Sequence, residues 1–205
     1  MNANNQSSLE GGTPTTLRLF IALPIPETVK SEIERVQNEL RQVLPEKSVR
    51  WTKRGQFHLT LRFLGNVEAS RVLELTSVLR DACSSFPALG LRAERIGCFP
   101  GLRYPRVVWV WVHDGVQQLG LLQRMIESAV GKFAEGGAEK KFTGHVTIGR
   151  INGIKRPQTE ALAKLAHSMT ERRFGEWTAT EVKLMRSELS QSGAVHSVLS
   201  TFPLA

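Results

Sequence analysis

Twice along this chain a short apolar run, an amphipathic helix and an alternating strand carrying His-x-Thr follow one another in the same order. That repetition narrows the possible folds more than any other feature. Leu17 to Leu23 (LRLFIAL) is rich in strand formers and is closed by Pro24 and Pro26. Between Glu27 and Leu44 the apolar residues Val29, Ile33, Val36, Leu40, Val43 and Leu44 recur at threes and fours, which predicts a helix with one buried face. A short strand is expected at Val49 to Thr52. Phe57 to Leu64 (FHLTLRFL) then alternates, with Phe57, Leu59, Leu61 and Phe63 expected on one side and His58, Thr60 and Arg62 on the other.

The order restarts at Val107 to Val112 (VVWVWV), whose β-branched and tryptophan content predicts a strand. A helix is expected over Val116 to Phe133 and an H-x-T strand over Phe142 to Ile151. Leu17 to His58 spans 41 positions and Val107 to His145 spans 38. Each H-x-T strand leads on to a helix, Glu68 to Ser84 and Thr159 to Thr170, and then to another strand, Leu89 to Phe99 and Ala179 to Ser187. A last strand is expected from Ala194 to Phe202. The pattern predicts an α+β fold of two related lobes, each a strand-helix-strand unit, with antiparallel sheets around a central cleft and helices outside.

Size and composition set the frame for that duplication. A chain of 205 residues holds one bilobal domain, expected over residues 17–205, but not several independent ones. Residues 1–16 are polar and rich in Gly, Ser and Asn, and read as a flexible tail with no secretory core. No run approaches the roughly 18 apolar residues of a membrane span. Cys83 and Cys98 lack C-x-x-C spacing, which suits a reducing compartment, so the cytoplasm is the default expectation; separately, a monomer is expected. A formal net charge of +8 favours a polyanionic partner.

The two H-x-T pairs carry the chemistry. In His58-Leu59-Thr60 and His145-Val146-Thr147 the imidazole and hydroxyl lie two residues apart on a strand, hence on one face. Opening a phosphodiester or cyclic phosphate needs a group to take a proton from water, a group to give one to the departing oxygen, and donors for the non-bridging oxygens. Two histidines and two threonines meet that need. Histidine, with an unperturbed pKa of about 6.5, is available in both forms near neutrality. A single H-x-T would carry little weight, because a lone strand histidine is usually an ordinary surface residue. Metal-ligand spacings such as H-x-x-x-H or H-E-x-x-H are absent from both pairs, so neither a metal nor a cofactor is expected.

These residues resemble the two-histidine phosphoesterases, and among them the LigT-like RNA 2′,3′-cyclic phosphodiesterases. The likeness runs through RLFIALPIP at Arg18 to Pro26, Arg50-Trp51, FHLTLRFLGNV at Phe57 to Val67 and CFP at Cys98 to Pro100. It continues through PRVVWVWV from Pro105, FTGHVTIGRI from Phe142, and the closing run Val182 to Leu189. The resemblance implies hydrolysis of an RNA-terminal 2′,3′-cyclic phosphate to a 2′-phosphomonoester, with RNA ends or small cyclic nucleotides as partners. It implies His58 as acid toward O3′, His145 as base toward water, Thr60 and Thr147 as oxyanion donors, and Arg150 as a further phosphate-binding residue. Joining RNA ends through 2′-5′ linkages uses the same site in reverse, and a noncatalytic binder of RNA ends is the reading from another class. Two departures stand out. Gly144 replaces the usual Pro before the second histidine, which is expected to loosen that approach. His196 stands where relatives often place Tyr, so no substrate contact is carried over there.

Overall fold

Apolar strands and one-sided helices must bury their faces against each other, and the computed structural model shows how this chain does so. It describes residues 15–137, 141–190 and 193–205. Nine strands form a single sheet: β1 (Thr16–Pro24), β2 (Val49–Trp51), β3 (His58–Glu68), β4 (Leu89–Phe99), β5 (Val107–His113), β6 (His145–Ile151), β7 (Arg173–Ala179), β8 (Glu181–Ser190) and β9 (Gly193–Pro203). Four α-helices cover it: α1 (Glu27–Val43), α2 (Val72–Ser84), α3 (Gln118–Val130) and α4 (Arg156–Ser168). Most of the expected tail falls outside the described residues, while Thr16 already opens β1.

The strand order is β7-β4-β5-β6-β3-β1-β8-β9, with β2 paired to β6 beside β3, and every pairing is antiparallel. The expected two-lobed α+β plan is therefore present, but its two sheets are one. They meet where β3 and β6 pair at Leu59 and Val146, on one side β3-β1-β8-β9 and on the other β6-β5-β4-β7. The connecting helices cross this seam. Helix α1, which links β1 to β2 and β3, packs on β7 and α4 in the other half, and α3, which links β5 to β6, packs on β3 and α2. Val29, Ile33, Val36 and Leu40 of α1 are almost wholly buried, as the helical spacing predicts. Burial of each such side chain stabilises the fold by roughly 1.5–3 kcal/mol.

Local differences from the sequence reading have physical causes. Strand β7 is not among the expected strands: it is mostly polar, buries only Phe174 and Ala179, and gains its conformation by pairing with β4. Helix α4 starts at Arg156 instead of Thr159. Pro157 is tolerated in a first turn, and the Gln158 side chain accepts the Lys155 backbone N–H at 3.1 Å. Strand β6 starts at His145 instead of Phe142, and β3 runs on to Glu68.

The largest correction concerns β3. Its pairing with β1 slips between Arg62 and Thr60, a β-bulge that reverses the alternation. Arg62, expected on the same side as His58, is buried, and Phe63, expected inside, is 53% exposed. Arg62 lies 3.1 Å from Glu127 of α3 and donates to the Gly137 carbonyl at 3.0 Å. Strand β6 repeats the pattern: its pairing with β5 slips between Thr147 and Gly149, so Ile148 and Gly149 are both buried and Arg150 is exposed.

Candidate active site

His58 and His145 occupy equivalent positions, each the first residue of its strand. Their rings are held alike. His58 Nδ1 is 2.7 Å from the Gln56 carbonyl oxygen, and His145 Nδ1 is 2.7 Å from the Thr143 carbonyl oxygen. A carbonyl can only accept, so each Nδ1 carries the hydrogen and proton exchange at each ring falls to Nε2. Gln56 also donates its side-chain amide to the Ala194 carbonyl, which ties the turn before His58 to β9.

Aromatic rings wall both imidazoles. The Phe20 ring lies 4.8 Å from His58, and Phe99 meets His145 edge-on at 5.0 Å and 84°. Trp109, at 6.2 Å from His145, lies against Gly97, where a Cβ would run into the indole. His196 stands edge-on to His58 at 5.4 Å and 89° and contacts Phe20 at 4.9 Å. Burial pushes His58 down to about 4, and His196 and His145 beside it add repulsion of the imidazolium. His196 is also lowered by burial.

A cleft of about 870 Å³ contains both halves of this arrangement. It is lined by His58 and Thr60 from β3, by His145, Thr147 and Arg150 from β6, and by His196 from β9. All five residues singled out in the sequence thus face one space. Arg150 does so because of the bulge: five positions after His145 would be the wrong face of a regular strand. The matching bulge in β3 sends Phe63 into the cleft at the equivalent position. An adjoining recess of about 400 Å³ shares Thr60, Phe63, Phe99 and His145 with the cleft and adds Lys141, Phe142 and Thr143.

Sequence reasoning missed Phe63 and His196. The first was hidden because Leu61, Phe63 and Leu64 are apolar and suit either side of a bulge; the second depends on β9 pairing with β8, where His196 opposes Ser187. Gly144 is the reverse of a loose joint. It is buried, its carbonyl accepts the Val112 N–H at 2.9 Å, and a Cβ there would collide with the Val112 carbonyl oxygen and Leu119. Among the described residues no three His, Cys, Asp or Glu side chains gather closely enough to hold a metal ion. Among them, too, no helix is long and apolar enough to cross a membrane.

The chain is similar to known proteins over most of its length. The family model for LigT like phosphoesterases matches residues 23–109. An RNA 2′,3′-cyclic phosphodiesterase of Methanothermobacter thermautotrophicus is 27% identical over 92% of this chain and 99% of the relative. One of Aeropyrum pernix is 30% identical over 70% of this chain and 79% of the relative. Among solved structures, a Thermus thermophilus protein superposes with a TM-score of 0.75 at 25% identity, covering 92% of this chain and 98% of its own. Escherichia coli LigT complexed with 3′-AMP superposes with a TM-score of 0.72 at 22% identity over 93% and 99%, a likeness of fold.

Proposed function

Because this chain belongs to the LigT-like phosphoesterase family, we propose that it opens RNA-terminal 2′,3′-cyclic phosphates by proton transfer through His58 and His145. The observation that carries the reading is the pair of imidazoles, held identically by carbonyls two residues upstream and lining one cleft with two threonines. Water attacks phosphorus as one Nε2 takes its proton. The P–O3′ bond breaks as the other Nε2 protonates O3′, leaving a 3′-hydroxyl and a 2′-phosphomonoester. The Thr60 and Thr147 hydroxyls donate to the non-bridging oxygens, and the Arg150 guanidinium offsets their charge.

The family resemblance makes His58 the acid and His145 the base. His58 rests neutral because burial disfavours its charged form. In that order its proton has to be secured by the substrate: an anionic phosphate beside the ring favours imidazolium and opposes the burial penalty.

The test is turnover of adenosine 2′,3′-cyclic phosphate in excess chelator, with product analysis, for the wild type and for His58→Ala and His145→Ala. Each substitution should slow turnover by about 10²- to 10⁴-fold. Comparable rates in all three proteins refute the assignment. Loss of wild-type activity to chelator points to a metal, and a 3′-phosphate product overturns the stated bond cleavage.

A further inference from the structure

The proposed mechanism uses one phosphate, yet the cleft wall holds more positive charge than one phosphate requires. Arg50, on β2, and Arg150, on β6, are direct cross-strand partners. Partners in register project from the same face, so two guanidinium groups of like charge are set side by side, an arrangement that destabilises a bare sheet. Both are exposed and both line the cleft, with Lys53 two residues beyond β2. No carboxylate stands among the described residues of this wall. Arg50, Lys53 and Arg150 also take no part in the ion pairs found among the described residues. Their neighbour Arg54, turned away from the cleft, is by contrast clasped by Glu27 and Glu34.

The arrangement is built, not accidental. The buried Gln37 side chain of α1 donates to the Thr52 carbonyl at 2.9 Å and to the Ile148 carbonyl at 2.8 Å, and the Thr52 N–H donates to Ile148 at 3.0 Å. A buried amide thus holds the short strand β2, and Arg50 with it, against β6. Arg150 lies three residues past Thr147, at most about 10 Å along a strand rising about 3.3 Å per residue. Arg50, level with Arg150, therefore lies past the place the mechanism gives the reacting phosphate, and Lys53 lines the same wall beside it.

We propose that Arg50 and Lys53, with Arg150 between the two sites, form a subsite for a second phosphate, the one on the 5′ oxygen of the nucleoside that carries the cyclic phosphate. The site then reads a phosphorylated nucleotide and discriminates against a bare nucleoside cyclic phosphate. This rests on the reading of His58 and His145 as the hydrolytic centre, and it is tested without turnover.

The probes are adenosine 2′-monophosphate, adenosine 2′,5′-bisphosphate and a diadenosine dinucleotide ending in a 2′-phosphate, titrated calorimetrically into the wild type, Arg50→Gln, Lys53→Gln and Arg80→Gln. Arg80, exposed on α2, sets the baseline for losing one charge elsewhere. The wild type should bind the bisphosphate at least tenfold tighter than the monophosphate, and Arg50→Gln should reduce that ratio about tenfold while Arg80→Gln preserves it. Lys53→Gln should reduce it in the same direction. A dinucleotide bound as tightly as the bisphosphate identifies the chain phosphate of RNA; weaker binding identifies a free 5′ monoester. A wild-type ratio near one, or equal weakening of all ligands by Arg50→Gln, overturns the subsite. Failure to hydrolyse any cyclic phosphate, with the affinity ratio intact, defeats the hydrolase reading and leaves the subsite standing.

Discussion

A half-buried imidazole couples chemistry to stability at His58. Its folded pKa of about 4 lies below the unfolded value of about 6.5. Between those limits the unfolded chain binds a proton that the native ring refuses, so stability falls as pH drops from about 6.5 to about 4, by ~3 kcal/mol in all. Above that window the ring is neutral in both states, and below it both are charged, so the dependence is confined there. Denaturant melts of the wild type and His58→Asn across this range should diverge, the variant lacking that part of the slope; parallel curves would refute the shift. His196→Ala, by admitting water and removing a neighbouring imidazole, should shrink the effect. That His58 and His145 share a site with Thr60 and Thr147 was legible in H-x-T, because a spacing of two on a strand fixes a common face. The depressed proton affinity of His58 was not, since Phe20 and His196 reach the ring from β1 and β9.

For β3 and β6, the shared bulge sets which side chains meet substrate and which bind the halves together. It turns Arg62 inward onto Glu127, with side chains 5% and 17% exposed, so that a sheet strand and a helix from opposite halves are joined by a charge pair away from water. Arg62→Ala leaves Glu127 without its partner and should cost about 3–5 kcal/mol by chemical denaturation. The double variant Arg62→Ala/Glu127→Ala should recover part of that loss, and strict additivity of the two single changes would show that the pair is not coupled. Helices α1 and α3 were legible because their apolar spacing is local. The bulge was not: Leu61, Phe63 and Leu64 satisfy both the straight strand and the slipped one, and only pairing with β1 selects between them.

Taken as a whole, the molecule places α1 and α3 each beneath the other half's part of the sheet, so neither half has a complete core of its own. Unfolding should therefore be a single cooperative transition. The four tryptophans make this checkable: Trp109, Trp111 and Trp177 lie on β5 and β7, and Trp51 on β2, which pairs with β6. Fluorescence thus reports one half, while far-ultraviolet circular dichroism reports both. Coincident midpoints are expected, and separated midpoints would mean that the halves unfold independently. The repeat of strand, helix and H-x-T strand, the one-sided helices and the paired imidazole and hydroxyl faces were determined by the sequence alone, because each follows from a period of two or of 3.6 within a short window. The fusion of two sheets into one, the turning of Phe63 and Arg150 into the cleft, the seating of β2 with Arg50 beside Arg150, the tight contact at Gly144 and the arrival of His196 were decided by the tertiary structure. Each depends on the register between segments distant in the chain, and register is set by the packing of the whole sheet.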